Sequence, residues 1–161
     1  MDSTSNVFEC EIQARLRDVN LGGHVDNVEA IRVLDEARLQ FLRFAPLPAL
    51  ADGSPGLLRA VPAGVTDLVG AQRVDYHSEM RFVPFQPFLM RLWVSHVGGS
   101  SFTVASEMRV HPDHAPALIA ETSMVLWDPS EATSWRLSDD VRADMTAYAG
   151  GPVALRGRPA G

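Results

Sequence analysis

The 161-residue chain is expected to fold as α+β, with one antiparallel sheet wrapped around a single long helix. Three observations predict this. Residues 8–17 alternate with the period of a strand, residues 27–44 repeat with the period of a helix, and four more strand-like segments follow across well-marked turns. Successive strands joined by turns pair antiparallel, and a lone helix with one apolar face has to bury that face against the sheet.

Each element has its own signal. In F-E-C-E-I-Q-A-R-L-R, Phe8, Cys10, Ile12, Ala14 and Leu16 share one face, and Glu9, Glu11, Gln13, Arg15 and Arg17 share the other. That is the pattern of a half-buried strand. From Asn27 to Phe44, Ala30, Ile31, Val33, Leu34, Ala37 and Phe41 recur at helical spacing. Asp26 stands where it would cap this helix, with Glu29 three positions on to complete a capping box. Residues 45–64, rich in Pro, Gly and Ala, read as a connection with a short helical turn near Pro48 to Asp52. Strands are expected at Val65 to Tyr76, Leu89 to Val97, Phe102 to Val110 and Leu118 to Trp127. Gly98-Gly99 marks a tight hairpin between the second and third of these, and H-P-D-H-A-P at 111–116 marks a turn between the third and fourth. Ser138 opens a short helix in S-D-D-V-R-A-D-M-T-A-Y. The expected organisation is one domain over residues 1–148 and a poorly ordered tail over 149–161. The outer sheet face and the sheet edges are left to be covered, which favours pairing with another chain.

Composition narrows the chemistry. A formal charge of −6 and 46% hydrophobic residues suit a soluble globular protein and argue against a nucleic-acid partner, which needs a basic face. All 14 basic residues are Arg, so Schiff-base catalysis and a lysine-bearing phosphate loop are excluded. Cys10, the one cysteine, forms no intrachain disulfide and reads as an inert thiol on the apolar side of its strand. No apolar run approaches the ~20 residues that cross a bilayer, and M-D-S-T-S-N lacks the basic and apolar regions of a signal peptide. A cytoplasmic protein with no membrane partner is expected. His111 and His114 have a metal-like spacing, but the two prolines of their turn make them surface histidines, and no metal is expected.

One segment carries more. R-L-R-D-V-N-L-G-G-H-V-D-N-V-E-A-I-R-V-L-D-E-A-R, residues 15–38, resembles the hotdog-fold thioesterases of the 4-hydroxybenzoyl-CoA thioesterase and acyl-CoA thioesterase superfamily. Their pattern is an aspartate, one residue, a second aspartate, then Gly-His-Val-Asn-Asn and a helix ending in Glu-Ala-Arg. Asp18, Gly23, His24, Val25, Asn27, Glu36, Ala37 and Arg38 match it in register. V-D-Y-H-S-E-M resembles the family's second strand through Asp75 and Tyr76, and the likeness runs over roughly residues 8–148. The departure is Asn20, which stands at the second aspartate, the catalytic carboxylate in much of the family; Asp26 likewise replaces the first asparagine. Thioesterases of enediyne polyketide pathways also carry asparagine at the position of Asn20 and use an arginine that Arg38 matches. Plant-type acyl-ACP thioesterases match at His24 and at Glu79, although their cysteine becomes Met80.

The resemblance implies hydrolysis of an acyl-CoA or acyl-ACP thioester by a homodimer or tetramer, with no cofactor. Sulfur donates poorly into the carbonyl and leaves as thiolate, so the demand reduces to stabilising an oxyanion and orienting water. The amides where the long helix begins suit the first task, near Asn27 with Gly23 or His24 helping, and Gly22 and Gly23 let the backbone approach closely; Gly22, Gly23, Asn27 and Tyr76 are the expected substrate-binding residues. Asn20 would hold the water or the thioester, Glu79 is the leading candidate base and His24 the second, and Arg38 would assist. Other readings stand beside these. Asparagine is a common turn residue, Arg38 fits an ion pair with Asp18 or Asp35, and Glu79 fits solvent. A non-catalytic acyl-thioester binder on the same scaffold is the alternative function.

Overall fold

The computed structural model describes residues 6–47, 50 and 55–157. Strand β1 (Phe8–Ile12) leads through a single 3-10 turn (Leu16–Asp18) into helix α1 (Asn27–Phe44). The chain then forms β2 (Thr66–Tyr76), β3 (Phe88–Val97), β4 (Ser101–Arg109), β5 (Leu118–Asp128), the two-residue β6 (Thr133–Ser134) and helix α2 (Asp139–Thr146). The strands form one antiparallel sheet in the order β1-β3-β4-β5-β2, with β6 paired to the end of β5. The expected α+β architecture is what the chain adopts.

α1 buries Ala30, Val33, Leu34, Ala37, Phe41 and Leu42 against the inner sheet face, packing on β1, β3 and β4. The inner faces of β3, β4 and β5 answer with alternating residues, among them Met90 and Leu92, Phe102 and Val104, and Met124 and Leu126. The Phe41 ring lies 5.4 Å from that of Phe8 and 5.3 Å, edge-on, from that of Tyr148, which ties the helix to both ends of the chain. Because β1 and β2 sit at opposite edges, the segment from Tyr76 to Phe88 has to cross the end of the sheet. That crossing brings β2's exit past the start of α1.

Three expectations need correcting. The first strand stops at Ile12, opposite Phe88, rather than continuing to Arg17. The Asp18 carboxylate accepts from the Arg15 amide (2.8 Å) and guanidinium (2.9 Å), which turns the chain and leaves Leu16 76% exposed. Asp26 caps α1 by accepting from the Val28 amide (2.9 Å), but Glu29 does not close a capping box. Its carboxylate goes to Arg32 (3.0 Å) and Arg15 (3.7 Å), while the Asp26 amide donates to the Asp18 carbonyl. The tail, read as loose, is held as far as Gly157. It pairs beside Val94 at Ala149 and sends Val153 and Leu155 into a small apolar cluster with Trp93, Ala105 and Ile119 on the outer sheet face. The helical turn expected near Pro48 to Asp52 falls outside the described residues except for Leu50, whose amide donates to the Leu47 carbonyl. Among the described residues no helix is long and apolar enough to cross a membrane.

Candidate active site

Three stretches meet where α1 begins: the loop 19–26, the first turn of the helix, and residues 76–81 leaving β2. Backbone bonds clamp them together. The Val25 amide donates to the Met80 carbonyl (2.7 Å) and His24 pairs antiparallel with Arg81. The Tyr76 hydroxyl reaches the Asn27 carbonyl at 3.3 Å. Burial, and then the charge of Asp26, push the Tyr76 phenol above its ordinary pKa, so it stays protonated and donates this bond.

The clamp brings two of the sequence candidates together. His24 Nδ1 lies 3.6 Å from Glu79 Oε2 within one chain, so Glu79 reaches His24 without a second copy. Arg81, which the sequence reading passed over, holds the same carboxylate at 3.2 Å. A signal for it was present: Glu79 and Arg81 are two residues apart in extended chain and so share a face.

Asn20 is placed differently from its expected role. Its Oδ1 accepts from the amides of Gly22 (3.0 Å) and His24 (3.2 Å), and its own amide donates to the His24 carbonyl (2.8 Å). The Gly23 amide closes the turn on the Asn20 carbonyl (3.0 Å), with Gly23 at φ +79°, a conformation that suits glycine. The oxygen is therefore occupied by the loop, as in the turn reading. A side chain at Gly22 would press on His24 Cδ2 at 3.2 Å and on Asn20 Oδ1 at 3.4 Å, so the imidazole lies over the Gly22 backbone.

The helix start is open. Leu21, Gly22, Gly23 and Asn27 are exposed. Of the first-turn amides, Asp26 takes that of Val28 through its carboxylate and that of Ala30 through its carbonyl, and those of Asn27 and Glu29 have no acceptor among the described residues. Behind the loop, the buried Asp18 carboxylate is held below the ordinary carboxylate range chiefly by its hydrogen bond from the Arg15 side chain. A hollow of about 440 Å³ begins beside Glu79 and Arg81 and continues along Ser78, Val110, His114 and Ala117. A larger one, about 610 Å³, follows β1 between Glu9, Glu11, Arg91 and Arg109, away from these residues.

Arg38 does not join the cluster. It lies eleven residues beyond Asn27, about 16 Å along the helix axis. It is buried and ion-paired with Asp35, one of the two structural partners expected for it. Its Nε has no acceptor among the described residues.

With this geometry in view, the chain can be set beside known proteins. The model of the thioesterase-like superfamily matches residues 14–145. No curated protein matches the sequence. Among solved structures, a predicted thioesterase from Bacillus stearothermophilus superposes with a TM-score of 0.71 at 17% identity, covering 92% of this chain and 100% of that one. A 1,4-dihydroxy-2-naphthoyl-CoA thioesterase from Synechocystis gives 0.68 at 16% identity, over 87% of this chain and 96% of that one. A thioesterase from Thermus thermophilus, complexed with coenzyme A and Zn, gives 0.63 at 16% identity, over 85% and 95%. At these identities the superpositions speak for the fold.

Proposed function

The chain belongs to the thioesterase-like superfamily, and on that premise we propose that it hydrolyses an acyl thioester of coenzyme A or of an acyl carrier protein. The observation that carries the reading is the His24–Glu79 pair, 3.6 Å apart beside an open helix start. The coenzyme A bound by the Thermus relative and the acyl-CoA substrate of the Synechocystis one support the choice of thioester.

The steps follow from the residues. The thioester carbonyl points its oxygen at the Asn27 and Glu29 amides, where the positive end of the α1 dipole favours developing negative charge. Water attacks the carbon and gives a proton to His24 Nε2, the ring nitrogen turned away from Glu79. Glu79 faces Nδ1, where it orients the ring and stabilises the imidazolium, with Arg81 fixing the carboxylate from behind. The tetrahedral intermediate collapses by expelling the thiolate, and His24 returns the proton. Glu79, first in line as base from the sequence, becomes the orienting partner of His24 in this scheme.

A homodimer or tetramer is part of the proposal. β2 has β5 as its neighbour and exposes Leu68 and Val69, the features of an edge that pairs with a second copy. One observation favours the second reading, a non-catalytic thioester binder: the Asp26 carboxylate stands among the very amides that would stabilise an oxyanion.

Thiol release from a panel of acyl-CoAs and acyl carrier proteins separates the two. Hydrolysis above background is expected, falling on the order of 10²–10⁴-fold in His24→Ala, with a smaller loss in Glu79→Gln. Acyl-CoA that raises the melting temperature yet is never cleaved would replace the enzyme with the binder.

A further inference from the structure

We propose that Asn20 is a positioning residue that acts through His24, its side-chain oxygen locking the loop that carries the imidazole; the catalytic half of this statement rests on the thioesterase reading above. The side chain of asparagine has two ends, an oxygen that accepts and an NH₂ that donates. Two backbone N–H groups, those of Gly22 at 3.0 Å and His24 at 3.2 Å, converge on one end, and donors of that kind require the oxygen there. With the oxygen committed, it is not free to accept a hydrogen bond from the attacking water.

The consequence for His24 is direct. Residues 20 and 24 are joined by the Oδ1 bond to the His24 amide and by the Asn20 amide's bond to the His24 carbonyl, so the backbone of His24 is held on both sides. The Oδ1 bond to Gly22 draws that residue's backbone under the imidazole, where a Cβ would stand 3.2 Å from His24 Cδ2 and press on the ring. The ring is thereby aimed with Nδ1 at Glu79. An aspartate at position 20 would accept from the same two amides, so the loop asks for an acceptor there rather than for a charge. This explains how the family's second carboxylate can be exchanged for an amide without dismantling the site.

Two substitutions read the two ends of the side chain. Asn20→Ala removes both, and Asn20→Asp keeps the acceptor while removing the donor. If the oxygen positions the loop, Asn20→Ala lowers kcat on the order of 10²-fold with KM little changed, and Asn20→Asp recovers most of that loss. An Asn20→Asp enzyme as slow as Asn20→Ala would overturn the assignment, because the NH₂ would then be the working group. Activity in Asn20→Asp well above the natural protein would also overturn it, since the new carboxylate would then be acting on the thioester itself. Amide hydrogen exchange at Gly22 and His24 tests the structural half without any turnover. Protection is expected in the natural protein and in Asn20→Asp and is expected to be lost in Asn20→Ala; unchanged protection in Asn20→Ala sinks the proposal. If no acyl thioester is hydrolysed at all, the thioesterase reading fails while the exchange result still decides whether Asn20 holds the loop. Should the alanine variant fail to fold, Asn20→Ser, too short to reach both amides, takes its place.

Discussion

Asp26 does two things that pull against each other. As N-cap it satisfies the Val28 amide, and as a carboxylate it sets a full negative charge in the turn where the proposed oxyanion forms. Asparagine caps about as well as aspartate, so Asp26→Asn should leave stability nearly unchanged while removing the charge. The charge itself favours the helix start by about 0.3–1 kcal/mol, the most the substitution should cost. Two like charges ~4 Å apart in water repel by about 1 kcal/mol, so kcat should rise roughly fivefold; steady-state thioester hydrolysis reads it, and a fall would show that the oxyanion lies elsewhere. Asp18 is the opposite case, a carboxylate whose value is structural. Its folded pKa is depressed, so the stability it contributes is present above the ordinary aspartate value of 3.8 and is lost as pH falls. Asp18→Asn keeps an oxygen for the Arg15 amide and loses only the charge facing a half-exposed Arg15 side chain. It should therefore cost about 1 kcal/mol at neutral pH, the upper end for a solvent-screened pair, and urea titrations should show this gap closing on acidification. That Asn20, Gly22, Gly23, His24 and Asn27 lie close together was legible because they share one short segment, whereas Arg81 was passed over and Arg38 lies apart. The roles of Asn20 and Glu29 were not legible, because a side chain with several partners in reach is assigned by distances, and distances are absent from a sequence.

At the level of elements, α1 was readable from Asn27 to Phe44 because its apolar period, its Asp26 cap and its buried face agree. β2 to β5 were readable within a residue or two, since the turns between β3, β4 and β5 are marked by Gly98-Gly99 and by the prolines of 111–116, whereas the two-residue β6 was not expected. β1 is shorter than its pattern because alternation persists through Leu16 although pairing with β3 has ended, and only the Arg15–Asp18 contact reveals the turn. β2 carries the element-scale prediction. It is eleven residues long, lies at the sheet edge and presents Leu68 and Val69 at nearly half exposure. A lysine on such an edge blocks strand addition by another chain. Sedimentation should therefore find the natural protein as a dimer or tetramer and Val69→Lys as a monomer. A natural protein that sediments as a monomer at every concentration would remove the proposed assembly but leave the intrachain His24–Glu79 pair untouched.

Over the whole molecule, the last segment to be understood is the one after α2. G-G-P-V-A-L-R has no helical or strand period, so nothing local says that it binds anything. Its binding site is assembled from Trp93, Ala105 and Ile119, one outward residue from each of three strands, which become neighbours only through the sheet register. The segment starts beside Val94, on the stretch of β3 beyond its pairing with β1, where Trp93 Nε1 donates to the Gly151 carbonyl at 2.6 Å, and crosses to β2, where Asp75 accepts from the Arg156 amide at 2.5 Å. It thus covers part of the outer face that the sequence pattern assigns to another chain. Burying side chains the size of Val153 and Leu155 is worth about 1.5–3 kcal/mol each, so removing residues 150–161 should lower unfolding stability by several kcal/mol. Gly150 supplies the subtler test. A methyl group there would stand 2.4 Å from Trp93 Cδ1 and 2.9 Å from its Nε1, too close for either to remain in place. Gly150→Ala should then cost about 1–3 kcal/mol, as overpacking typically does, and should release the Trp93 bond. Urea unfolding gives the first quantity, and a new protease cut near Arg156 with altered tryptophan emission gives the second. A Gly150→Ala protein as stable and as resistant as the natural one would mean that the segment is not seated against Trp93 in solution, and that the outer face is free for a partner after all.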